Sequence, residues 1–240
     1  MKRIESRKAA VAKQKLIRSG LLILSIFLLV IGVVLLLIEP IKRMNRSRIS
    51  NSALAVFDQK IAQSETELTY TVPRTGNEVE GEGYDFLGNM QFEETTPSED
   101  EGEYVTLTSI GILNISSINC RYSVWDEASQ VSLRYGLGHY VDSVMPGEAG
   151  NCTILGHNYR DGSMFHRLDE VQIGDTVEFT AADGTYMTFH VVENKVVSAD
   201  EILSYALGSA SSSYQLTLVT CTYENGEWYG LRRIVICEMD

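Results

Sequence analysis

The chain has 240 residues, a hydrophobic fraction of 44% and a formal net charge of −12, which is room for one or two folded domains. Its basic residues crowd the N-terminus, so the remainder is more acidic than the total suggests. An acidic body without Lys/Arg clusters excludes a nucleic-acid binder.

Residues 1–18 form a basic segment, with Lys2, Arg3, Arg7, Lys8, Lys13, Lys15 and Arg18 against Glu5 alone. Residues 19–38 carry no charge. At a rise of ~1.5 Å per residue such a run covers the ~30 Å hydrocarbon core of a bilayer, so it reads as a transmembrane signal anchor. A cleaved signal peptide would have an apolar run of only ~7–15 residues and a small-residue cleavage site. Here the run stops at Glu39-Pro40-Ile41-Lys42-Arg43 instead. The Lys/Arg excess before the span places the N-terminus in the cytoplasm and everything after the span outside the cell.

Residues 39–103 read as a juxtamembrane stalk followed by an acidic spacer. Helical spacing of Ala53, Val56, Phe57 and Ile61 marks the first part. From Glu65 to Glu103, acidic residues alternate with Thr, Gly, Ser and Pro, too little apolar surface to offset ordering entropy, which predicts a flexible tether.

The folded domain is predicted over 104–240. Strands are expected at Ile110 to Ile115, Ser123 to Trp125, Gly136 to Val144 and Asn151 to Leu155. A hairpin joins the period-two runs from Asp175 and Tyr186 through Ala182-Asp183-Gly184. Short helices are expected over Asp126 to Arg134 and from Ser198 to Leu207 before Gly208. Two last strands hold Leu216 to Cys221 and Arg232 to Ile236. About eight short strands with one or two short helices predict a mainly β fold, a closed or nearly closed barrel.

The chemistry gathers at those last strands. Cys221 ends a β-branched run, and a returning strand opens with Arg232-Arg233. A cysteine attacks as thiolate and needs a partner to protonate the leaving group. A guanidinium beside it favours the thiolate and supports a developing oxyanion. His157, in Leu155-Gly156-His157-Asn158, ends another strand-like run and can serve as that partner. His139, His166 and His190 compete with it, since spacing does not separate them. Cys120, Cys152 and Cys237 lie in or near apolar runs, where a thiol behaves as a small hydrophobe. Two disulfides are arithmetically open to the four cysteines. The bland reading is a non-catalytic surface β-domain with a packed Cys221. A papain-like peptidase would place its cysteine early, on a helix, ahead of its histidine; the order here is reversed.

Thr217-Leu218-Val219-Thr220-Cys221, the downstream arginine strand and Leu155-Gly156-His157 together resemble the signature of the sortases, the membrane-anchored cysteine transpeptidases of Gram-positive bacteria. The resemblance extends over about 104–240. It includes Ile110 to Ile115 as the family's first core strand, and Gly138-His139-Tyr140 with Met145 to Asn151 leading into the histidine strand. One departure is Ile115-Ser116-Ser117-Ile118, where the family often has Ile-Pro-x-Ile. Gly156 to Phe165 is nearest to class B, whereas the opening strands resemble classes A and D. The resemblance implies a sortase-like barrel, Cys221 as nucleophile, His157 as acid, and an active-site arginine. Spacing in most relatives selects Arg233, and an extra residue in some selects Arg232; Arg233 is preferred. It also implies contact of Thr220 with the substrate backbone. The implied substrates are secreted proteins with a C-terminal Leu-Pro-x-Thr-Gly-like sorting signal, and the implied acceptor is an amine of a peptidoglycan precursor or a pilin. No cofactor or metal is implied, and no calcium loop is recognisable.

Overall fold

The structure, a computed structural model, describes residues 2–74, 102–208, 214–222 and 230–239. Most of the predicted acidic spacer, residues 75–101, lies outside them. The chain divides into two compact units, Met1–Asn45 and Arg46–Asp240.

Helix α1 runs over Lys2–Ala62. Among the described residues it is the one helix long and apolar enough to cross a membrane, with a mean hydropathy of 3.5 over its apolar window. In the first unit its Leu, Ile and Val side chains from Leu21 to Ile38 are exposed to the surroundings, as a lipid-facing helix requires.

Among the described residues of the second unit, nine strands form one sheet: β1 (Leu68–Pro73), β2 (Tyr104–Ile115), β3 (Cys120–Trp125), β4 (Leu137–His139), β5 (Gly150–Leu155), β6 (Thr176–Ala181), β7 (Tyr186–Ser198), β8 (Tyr214–Cys221) and β9 (Leu231–Met239). The order is β1-β2-β3-β4-β5-β8-β9-β7-β6, and β6 pairs back onto β2. The strands from β2 to β6 therefore close into the expected barrel, and β1 is an extra strand laid against the first half of β2. Closure removes the exposed edges an open sheet would present. Two short helices cover its wall, α2 (Gln130–Tyr135), capped by the Ser129 side chain, and α3 (Ile202–Ala206).

Side-chain alternation sorts the strands into an inner and an outer layer. Leu113, Val124, Ile154, Val177, Phe179, Phe189, Leu216, Leu218 and Val235 fill the interior. On the outer face Leu155, Val219 and Ile234 pack under Ile202 and Ala206 of α3 and against Leu133 and Tyr140. Asn151 fastens this helix: its side-chain amide donates to the Tyr205 and Ala206 carbonyls at 2.7 and 3.1 Å. Its carbonyl accepts the Thr217 hydroxyl at 2.8 Å.

The stalk expected over 39–103 is in part folded structure. The end of α1 buries Ala53 and Phe57 completely, in a cluster with Leu68, Val72, Leu107 and Trp125. Phe57 meets Trp125 edge-on at 5.7 Å between ring centroids and Tyr70 at 6.4 Å. Arg121 grips Asp58 with both guanidinium nitrogens, at 2.6 and 3.0 Å. Local composition misses this because the covering surface for these few apolar residues comes from strands after the spacer.

Candidate active site

Strand pairing builds the site. Strand β5 runs parallel to β8 with Leu155 opposite Val219, and the Gly156 amide continues the ladder by donating to the Val219 carbonyl at 3.1 Å. Continuing that phase, His157, two residues past Leu155 and beyond the end of β5, corresponds to Cys221, two residues past Val219 at the end of β8. On the other side β9 is antiparallel to β8, with Cys221 opposite Arg232 and Thr220 opposite Arg233. Cys221 and Arg232 are thus cross-strand neighbours on β8 and β9, and His157 follows just beyond the end of β5, the strand on the other side of β8.

This register departs from the sequence expectation about the arginines. Arg233 stands one residue away from that pair, so its side chain leaves on the opposite face. There it donates to Asn194 Oδ1 on β7 at 2.8 Å. Arg232 is 1% exposed and sits beside the sulfur-bearing residue. The expected substrate contact of Thr220 also meets a competing partner. Its hydroxyl is buried and donates to the Gly156 carbonyl at 2.7 Å, tying the histidine segment to the cysteine strand.

Cys221 is half-buried, at the edge of the outer cluster. Cys120, Cys152 and Cys237 are buried in the interior cluster, and no disulfide joins any two of the four cysteines. Burial pushes the Cys120 thiol up to about 12 and those of Cys152 and Cys237 higher still, which makes all three inert. Burial also pushes the His157 imidazole down to about 4, and the guanidiniums of Arg46 and Arg134 add to the effect.

Asn158, quoted in the motif but given no role from sequence, links the two strands again. Its Nδ2 donates to the Cys221 carbonyl at 3.0 Å, and its Oδ1 lies 2.9 Å from His166 Nδ1. His166 therefore supports the loop rather than the sulfur. His139 is buried against Ser143 and the Val144 carbonyl, at 3.1 and 3.0 Å from its Nε2. His190 faces Glu238 and Thr176 across the strand ladders. Gly156 is required by close packing: a Cβ there would stand 2.6 Å from both Leu137 Cδ2 and Phe165 Cδ2. Among the described residues no group of three His, Cys, Asp or Glu side chains could hold a metal ion.

The fold is a closed β-barrel whose wall carries a half-buried thiol opposite a buried guanidinium. The Sortase domain model matches residues 113–240, and the chain belongs to the sortase family. Sortase D of Bacillus subtilis (strain 168) is 32% identical over 111 residues, 46% of this chain and 53% of that protein. The chain thus spans about half the length of this curated relative. Among solved structures, sortase A from Corynebacterium diphtheriae, a lid mutant, has a TM-score of 0.50 at 22% identity and covers 79% of this chain and 92% of its own. Sortase C1 of GBS pilus island 1 has a TM-score of 0.50 at 24% identity, covering 55% of this chain and 64% of its own. At these identities the likeness is one of fold. It extends the agreement with the barrel predicted from the strand pattern.

Proposed function

We propose that the protein is a membrane-anchored cysteine transpeptidase that cleaves a C-terminal sorting signal of Leu-Pro-x-Thr-Gly type and passes the new carboxyl end to an amine. His157 is neutral near pH 7, so it enters as a base and takes the Cys221 proton. The thiolate attacks the Thr carbonyl carbon. The oxyanion forms beside the Arg232 guanidinium, which is charged and desolvated there and so stabilises it more than it would in water. Collapse expels the Gly amine, which receives the proton held by His157, and leaves a thioester on Cys221. An amine of a peptidoglycan precursor or a pilin then attacks the thioester carbonyl. His157 accepts the amine proton and returns it to the departing sulfur. In this reading the apolar part of α1 anchors the enzyme with its N-terminus in the cytoplasm, and the barrel works outside the cell on secreted proteins.

The observation that supports this reading is the pairing of Cys221 with Arg232 across β8 and β9, with His157 two residues beyond the Leu155–Val219 pair that joins β5 to β8. The test uses the full chain in detergent micelles, a panel of sorting-signal peptides and a small amine, read by mass spectrometry. An acyl adduct on Cys221 that the amine removes is the expected result. No adduct with any peptide, together with vinyl sulfone labelling of Cys221 that is indifferent to His157→Ala, would sink the proposal.

A further inference from the structure

His157 is held from a direction that the row of strands does not supply. Its ring lies 4.8 Å from that of Tyr159, tilted by 45°. Tyr159 is also covered by Arg46, whose guanidinium carbon is 3.7 Å from the ring centroid. Arg46 is the first residue of the compact unit that contains the barrel. It is anchored by an ion pair with Asp161, whose side chain is only 7% exposed. Asp161 in turn accepts from the Ser163 amide at 3.0 Å and from its hydroxyl, so its own loop also holds the carboxylate. A planar guanidinium stacked on an aromatic face and paired with a buried carboxylate is a rigid arrangement that lysine cannot reproduce.

We propose that Arg46 is a positioning residue for His157: anchored on Asp161, it presses Tyr159 against the imidazole, so the end of α1 sets the ring's orientation and its readiness to take a proton. This deepens the reading of His157 as the acid–base group, but its first readout does not depend on that reading. The groups that act on the ring are Arg46 from α1, Arg134 from α2 and Tyr159 from its own loop. Arg46 and Arg134 both oppose a second positive charge on the ring, after burial itself. Removing Arg46 takes away one of those cations and frees Tyr159, so His157 should bind a proton at higher pH while remaining in a folded barrel.

The experiment is proton NMR of the full chain in micelles with labelled histidine, comparing the native protein with Arg46→Met and Arg46→Lys. The expected result for Arg46→Met is a rise of the His157 midpoint from about 4 by at least about one pH unit. A His157 titration that stays in place overturns the proposal. Should Arg46→Met unfold the protein, Arg46→Lys decides: retained charge with a lost stack must move the His157 ring resonance, and an unmoved resonance again overturns it. The same variants are assayed for vinyl sulfone labelling of Cys221 against pH, whose acid limb moves toward neutrality. Should the native protein fail to label at all, the transpeptidase reading fails, while the histidine titration still judges Arg46.

Discussion

The two adjacent arginines give the sharpest perturbation. Arg232 is opposite Cys221 and 1% exposed, whereas Arg233 is opposite Thr220 and hydrogen-bonds Asn194 Oδ1 at 2.8 Å. If Arg232 stabilises the oxyanion, replacing it with Lys keeps charge but loses the fixed planar donor, and Arg232→Gln loses both. Deleting one preorganised oxyanion donor costs about 2.7–4 kcal/mol of transition-state stabilisation, or about 10²–10³ in rate. Arg232→Gln is therefore expected to slow acylation by about that factor, with Arg232→Lys in between. Arg233→Gln removes one charge-assisted hydrogen bond on the other face, worth about 1.5–3 kcal/mol of stability, and should leave acylation within a few-fold. The assay is the single-turnover rate of peptide acylation by mass spectrometry, paired with chemical denaturation to separate folding from catalysis. Loss of acylation in stable Arg233→Gln, with Arg232→Gln unaffected, would refute the register argument.

Three further outcomes follow from packing and protonation. Phe57→Ala should destabilise the folded unit by about 3–5 kcal/mol, because a fully buried ring in contact with Trp125 and Tyr70 is removed. A denaturation midpoint equal to that of the native chain would show that the end of α1 is not part of the core. Gly156→Ala should cost about 1–3 kcal/mol, since its methyl group meets Leu137 and Phe165, and should also lower the acylation rate by shifting His157; unchanged stability and rate would contradict the close packing. Acidification should weaken the fold through His157. Its folded value is about 4 against ~6.5 unfolded, so the unfolded chain binds more protons between these limits, and stability falls as pH drops through that window. The full contribution is about 3 kcal/mol, and His157→Gln should flatten that part of the curve; identical pH dependence in the two proteins would show that the imidazole is not held neutral.

Much of this protein could be read along the chain. The uncharged run of residues 19–38 forms an apolar helix because bilayer thickness and helix rise are fixed lengths. Short alternating runs yielded a closed barrel, and Cys221 stood out by ending a strand while its three fellow cysteines sat in apolar surroundings. Helix ends were less legible. The helix expected from Asp126 begins at Gln130, where the Ser129 hydroxyl accepts the Ser132 amide, and the one expected from Ser198 begins at Ile202 because β7 runs on to Ser198.

What the sequence determined by itself was local: which segments alternate, which is apolar enough to enter a bilayer, and which residue types could share a reaction. Tertiary structure alone decided which of two adjacent arginines stands beside the thiol, because successive strand residues face opposite ways and only pairing with β8 fixes the phase. It alone turned Thr220 inward to bond Gly156 and brought Phe57 against Trp125. It also carried Arg46 across more than a hundred residues of chain to Tyr159 and Asp161. Contacts of that separation leave no periodic trace, since each side chain finds its partner only after the barrel has closed.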